Sequence, residues 1–374
     1  MTEFRGVDRR QSNRKKEERR RRVRRDFSKE RLLRVRIIKV IPLVGLFPFW
    51  FLLCRVFESH TIRLAIPMTI IFIVFIGVVY ISVKNKNFVL LLGTLLILPM
   101  FLSACIAFSD FYHFSTRTVM TSFPKTLAPS WEFLFGTDYE GRDILATIII
   151  GGMNAYMVAA IATIIALLIG IPAGLMLTIR QSVVRGIASI ITQFFEIVPQ
   201  LFFVLIVLGV FNFWAAASAG TRMVAAYAVP IAGFAIGISA LPSVARIVES
   251  RVSQLKSHRF VSALQSSNVS STKILLYNIL WKNCISEIVV QATFLFGATI
   301  MIESALGYAF EIGFGELGTG GYLSWGKILA EARRSILFGE KLWIIFPPIM
   351  VTIMSILGVN IIGDTLVKYL RSES

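Results

Sequence analysis

The chain has 374 residues, of which 55% are hydrophobic, and a mean hydropathy of +0.71, which excludes a soluble domain of ordinary composition. Its formal net charge is +17, and much of that charge sits in the first forty residues. The few cysteines (Cys54, Cys105, Cys284) and histidines (His60, His113, His258) are scattered, which leaves neither a disulfide framework nor a histidine metal cluster.

Residues 1–36 are dominated by arginine, as in RKKEERRRRVRRDF, and are too long and too charged for a signal peptide. They run straight into an apolar stretch. Attraction to anionic lipid, at ~1 kcal/mol per basic residue near the surface, is therefore preferred to nucleic-acid binding. The same charge fixes this end in the cytoplasm. Several apolar runs that follow exceed the ~18 residues needed to cross a bilayer. They lack the period-two alternation of barrel strands. The expected fold is all-α and polytopic.

Spans are expected at about Ile37–Val56, Leu64–Val83, Phe88–Phe108, Met153–Thr178, Ile187–Phe211, Met223–Val244, Cys284–Leu306 and Leu342–Val367. The first two form a hairpin, 37–83. The remainder, 84–374, makes one core with external segments at 109–152 and 307–341. Eight spans place both termini in the cytoplasm, and every basic-rich link then falls on that side. The long polar interval Arg246–Asn283 is cytoplasmic in this topology, and Leu255, Arg259, Ser262 and Ala263 within it fall close to one helical face. A small-residue helix held there between two spans would make a mechanical contact for a partner; an ordinary solvated loop is the plainer alternative.

The external run Phe135–Asp143, FGTDYEGRD, is the most specific motif. Gly136 and Gly141 permit positive φ. Asp138 and Asp143 suit a helix start, Arg142 suits a carboxylate partner, and Thr137 lies between Gly136 and Asp138. This run continues as ILATIIIGG and leads to IGIPAGL. Further along come FEIVPQLFFVLIVLG, IVVQAT (Ile288–Thr293), Ser324-Trp325-Gly326 with Leu329-Ala330-Glu331, and Asn360–Asp364, NIIGD. In order and spacing these stretches closely resemble the "C"-type permease subunits of binding-protein-dependent dipeptide and oligopeptide ABC importers. The resemblance covers roughly Phe88 to the C-terminus.

The resemblance implies a type I ABC importer permease fold, to which 37–83 is an added N-terminal hairpin. It implies a homologous second permease, two ATPase subunits that carry ATP and Mg²⁺, an extracytoplasmic peptide-binding protein and a peptide substrate. This chain would be no enzyme itself and would bind no cofactor or metal. The implied location is the bacterial cytoplasmic membrane. The ATPase-coupling helix would comprise Arg259, Phe260, Val261, Ser262, Ala263, Leu264 and Asn268, read against the family's form FVEAARALG. Ser262 stands where the family usually has glutamate, and Asn268 where it has glycine. The family's HILPN element appears as NILWKN, Asn278–Asn283, without its proline.

Glu196, three residues before Pro199, is an intramembrane carboxylate and a candidate for the translocation path. Its plainer reading is a carboxylate bonded to a neighbouring helix. Glu287 and Asp364 are expected at the cytoplasmic boundary, and Glu303 near the outer one. The stretch Gly321–Lys327 imitates a phosphate loop, but Ile328 replaces the Ser/Thr and no strand precedes it. Two other function classes are open to the sequence. An ion-coupled carrier would need paired ionisable groups at mid-membrane, and none is apparent. A non-transporting or regulatory subunit would fit the eroded coupling loop.

Overall fold

The computed structural model describes residues 89, 91–97, 124–179, 183–218, 221–267, 269–310, 323–333 and 341–371. The basic segment 1–36, the hairpin 37–83, Asn268 and parts of both external segments lie outside the described residues. The elements below belong to one compact unit within 57–367, except for the last residues of the C-terminal helix.

Among the described residues the chain is helical. In order, the elements are α1 (91–97), α2 (Ile144–Leu177), α3 (Val183–Ile197), α4 (Gln200–Ser218), α5 (Thr221–Ser239), α6 (Leu241–Lys256), α7 (Arg259–Ser266), α8 (Ile285–Phe310), α9 (Trp325–Glu331) and α10 (Leu342–Arg371). Between α7 and α8 come a single turn, Ser271–Lys273, and a π-helical stretch, Ile274–Cys284. Among the described residues, four helical stretches are long and apolar enough to cross a membrane, and α3 with α4 makes a fifth if that pair counts as one span broken by a 92° bend.

Two helices depart from the expected bounds. α2 starts at Ile144, well before the expected Met153, because Asp143 caps it there by accepting from the Leu145 amide at 3.0 Å. The helical stretch from Tyr227 continues to Lys256, past the expected span end near Val244. Pro242 lies in the first turn of α6, where its missing N–H costs no helical bond, so it restarts the helix instead of ending it. The polar interval 246–283 is therefore mostly helical and not an ordinary loop.

Close approach of backbones holds the centre together. Gly170 and Gly174 of α2 face α6, and Cβ atoms added there would lie 2.6 Å from Val244 Cβ and 2.5 Å from the Ala245 carbonyl oxygen. Gly233 and Gly237 of α5 face α2 in the same way, with added Cβ atoms 2.8 Å from Ile161 and 2.7 Å from the Ala162 carbonyl oxygen. Both pairs have the G-x-x-x-G spacing, which puts two small residues on one helix face. Around these seams Val158, Ala162, Val204, Leu208 and Ile236 form one buried cluster. Val244, Val248, Val252, Val261, Ile274 and Ile279 belong to another.

Candidate functional site

The FGTDYEGRD run folds into a closed turn ahead of α2. Gly136 and Gly141 have φ of +79° and +82°, a region L side chains avoid. A Cβ on Gly136 would also run into the Leu127 carbonyl oxygen. Thr137 is fully buried; its hydroxyl donates to the Pro124 carbonyl and accepts from the Leu127 amide, both at 2.8 Å. One Asp138 carboxylate oxygen accepts from the amides of Glu140 (2.9 Å) and Arg142 (2.8 Å), and the other from Arg142 Nε at 2.7 Å. Asp143 is the helix cap, whereas Asp138 closes the turn and holds the arginine.

Arg142 then reaches across 189 residues of sequence to Glu331 at the end of α9, donating through both terminal nitrogens. Burial works to lower the guanidinium pKa, but Asp138 and Glu331 together overcome it and raise it. Burial pushes the Glu331 carboxyl up, against the pull of Arg142. A second link lies deeper. Trp325, fully buried, packs on Gly151 and Gly152 and donates from Nε1 to the Ile148 carbonyl at 2.9 Å. Its ring meets Tyr156 edge-on at 5.9 Å. Asn154 Nδ2 donates to the Leu323 carbonyl at 2.8 Å. Two motifs far apart in sequence thus form one clasp over the start of α2.

At the other end of α6, α7 is anchored by one side only. Val261 is buried and Leu264 packs partly into the cluster with Val252, Leu255 and Ile274. Arg259, Phe260, Ser262 and Ala263 point outward, as do Gln265 and Ser266. The exposed face carries a single charge, that of Arg259. The π-helical stretch occupies the place of the proline-containing element the resemblance leads one to expect. The Asn283 side chain donates to the Asn278 carbonyl five residues back. Wide turns of this kind recur at functional sites.

Glu196 and Pro199 line a cavity of about 310 Å³ at the bend between α3 and α4, together with Gln200, Ser239, Phe294 and Thr299. Glu196 is bonded as well: Arg246 donates from Nε to Oε1 at 2.7 Å and from Nη2 to Oε2 at 3.0 Å. The sequence offered no such ionisable pair, because Arg246 counted as part of a loop. Its helical continuation from α5 brings it beside α3. Glu303 is wholly buried within the protein, and its carboxylate oxygens have no hydrogen-bond partner among the described residues. Among these residues no group of three or more His, Cys, Asp or Glu side chains is arranged to hold a metal ion.

No family model matches the chain. Curated relatives do. The dipeptide transport system permease protein DppC of Alkalihalophilus pseudofirmus is 29% identical over 285 residues, which is 75% of this chain and 85% of the relative. By sequence, this chain is similar to peptide-transport permeases. The oligopeptide transport system permease protein OppC of Salmonella typhimurium is 28% identical, over 75% of this chain and 85% of the relative. The DppC of Bacillus subtilis is 26% identical, over 75% and 81%. Among solved structures, a chain of the inward-facing MetNI methionine ABC transporter aligns with a TM-score of 0.43 at 14% identity, over 59% of this chain and 94% of that one. The likeness to peptide-importer permeases drawn from the motifs is borne out. The relatives' similarity covers about the share of the chain that the motifs span.

Proposed function

We propose that this chain is the membrane-spanning permease subunit of an ATP-driven importer of dipeptides or oligopeptides in the bacterial cytoplasmic membrane. It forms half of the translocation path, and a homologous permease forms the other half. Two ATPase subunits bind ATP and Mg²⁺. An extracytoplasmic peptide-binding protein delivers the substrate on the side of the Arg142–Glu331 clasp. The type I permease fold occupies 84–374, the hairpin 37–83 is an addition, and the eight spans leave both termini inside. Residues 1–36 lie on anionic lipid.

The observation that carries this reading is α7. It is held from behind by Val261 and Leu264, and it presents Arg259, Phe260, Ser262 and Ala263 outward between two apolar stretches. Asn268, which follows it, completes the coupling segment. ATP-driven closure of the ATPases moves α7, and α6 and α8 follow, so the cavity that includes Glu196 and Pro199 changes its open side. The energy comes from the different affinity of the ATPases for the two states.

The test is Ala263→Glu in the complex that co-purifies with the chain. The site is exposed, so the fold tolerates the change. ATP hydrolysis is expected to continue while peptide uptake is lost. Normal uptake with the ATPases still bound would refute the reading. A wild-type complex that binds ATPases without uptake would favour a regulatory subunit, for which Ser262 in place of an acidic residue already speaks.

A further inference from the structure

α6 carries three basic side chains at five-residue intervals: Arg246, Arg251 and Lys256. Five residues of α-helix turn the side chain by about 140° and advance it by about 7.5 Å. The three cations therefore leave the helix in three different directions. Spacings of three or four would have put them on one strip facing one neighbour.

Each ends on a different helix. Arg246 grips Glu196 of α3 with two parallel hydrogen bonds of 2.7 and 3.0 Å, and its third nitrogen donates to Glu249 of its own helix at 3.0 Å. Arg251 lies 3.2 Å from Glu287 in the first turn of α8, whose other oxygen accepts from the Ser286 hydroxyl at 2.7 Å. Lys256 donates to both the carbonyl and the hydroxyl of Thr178, the C-cap of α2, at 2.9 Å each. Three residues after Lys256 the chain enters α7. Cations that merely extend to water at a membrane surface need no such partners.

We infer that Arg246, Arg251 and Lys256 are positioning residues that fasten α6 to α3, α8 and α2, so that a displacement of α7 reaches three helices through one rod. This rests on α7 being the docking helix. The first tie lies beside the cavity at the α3–α4 bend, so the rod joins the cytoplasmic contact to the path. The apolar side of α6 keys into Gly170 and Gly174 and resists sliding, while the ion pairs fix its rotation.

Two measurements decide the inference. In proteoliposomes of the co-purified complex, uptake of a radiolabelled dipeptide is divided by ATP hydrolysed. Arg246→Gln, Arg251→Gln and Lys256→Gln are each expected to lower this ratio by up to about fivefold while the complex stays assembled. A role confined to stability would lower the melting temperature and leave the ratio unchanged, which would overturn the inference. In the second measurement the full chain, without ATPases, sits in lipid nanodiscs with its native cysteines replaced and spin labels at Ile187→Cys on α3 and Ser253→Cys on α6. Arg246→Gln is expected to widen the distance distribution, and Lys256→Gln to leave it as it is. No widening with Arg246→Gln overturns the tie. If the wild-type complex shows no ATP-driven uptake, the permease reading fails, and the label widths still decide whether the rod is fastened.

Discussion

Arg142 shows what one residue must do when it is enclosed between two carboxylates. Its side chain is only 10% exposed, and its two principal partners come from opposite directions, Asp138 four residues back and Glu331 on α9. Removing it with Arg142→Met leaves both acids without their cation. A buried pair broken from one side typically costs about 3–5 kcal/mol, so a loss near the lower figure is expected in thermal unfolding of the purified chain. Adding Glu331→Gln removes one of the stranded charges. The double variant is therefore expected to be less destabilised than the sum of the two single changes, by about 1 kcal/mol or more. Strict additivity would mean that the clasp is not a unit. Thr137 makes an independent point nearby. Thr137→Val strands the Leu127 amide in a buried place, and about 1–3 kcal/mol is expected.

At the level of helices, the small-residue seams set how closely α2 approaches α6 and α5. Gly174→Leu must push α6 off α2, because a first side-chain carbon already meets the Ala245 carbonyl oxygen at 2.5 Å. Gly209 of α4 has nothing within 4 Å of the same position. Gly209→Ala is therefore expected to be neutral or mildly stabilising, whereas Gly174→Leu costs about 1–3 kcal/mol or prevents folding. Melting temperatures in one detergent check the contrast, and equal effects would refute the seam. These seams were visible in IGIPAGL and in the glycines of α5, although the sequence reading used IGIPAGL only for its resemblance. The apolar run from Leu342 matches its helical stretch, but the stretch Ile274–Ala309 begins ten residues before the expected Cys284, through the π-helical turns. Asp143 moved one start, and Pro242 restarted a helix that composition alone would have ended. The bond between Arg142 and a partner was legible as a carboxylate contact, but Glu331 as that partner was not, since nothing local marks a contact 189 residues away. The Glu196–Arg246 pair was hidden for a different reason. Both residues were singled out, but the sequence did not show that the chain stays helical past Val244, which is what brings Arg246 beside α3.

For the whole molecule the open question is which energy source moves the bundle. The Glu196–Arg246 pair joins two ionisable groups beside the cavity, so an ion-coupled mechanism and an ATP-driven one are separated by experiment. To turn a two-state equilibrium from 1:99 to 99:1, a ligand must favour one state by about 10⁴-fold. A proton acting on a pair about two-fifths exposed to its surroundings has little leverage of that size, since an exposed ion pair is worth only about 0–1 kcal/mol. A partner that grips α7 acts through the whole exposed face of a helix whose other face is fixed in the core. Peptide uptake by cells that express the chain with its partners is therefore expected to collapse on ATP depletion. It is expected to survive an uncoupler for as long as the ATP level is clamped. Uptake that follows the proton gradient at constant ATP would assign the work to the ion pair and leave α7 as a passive turn.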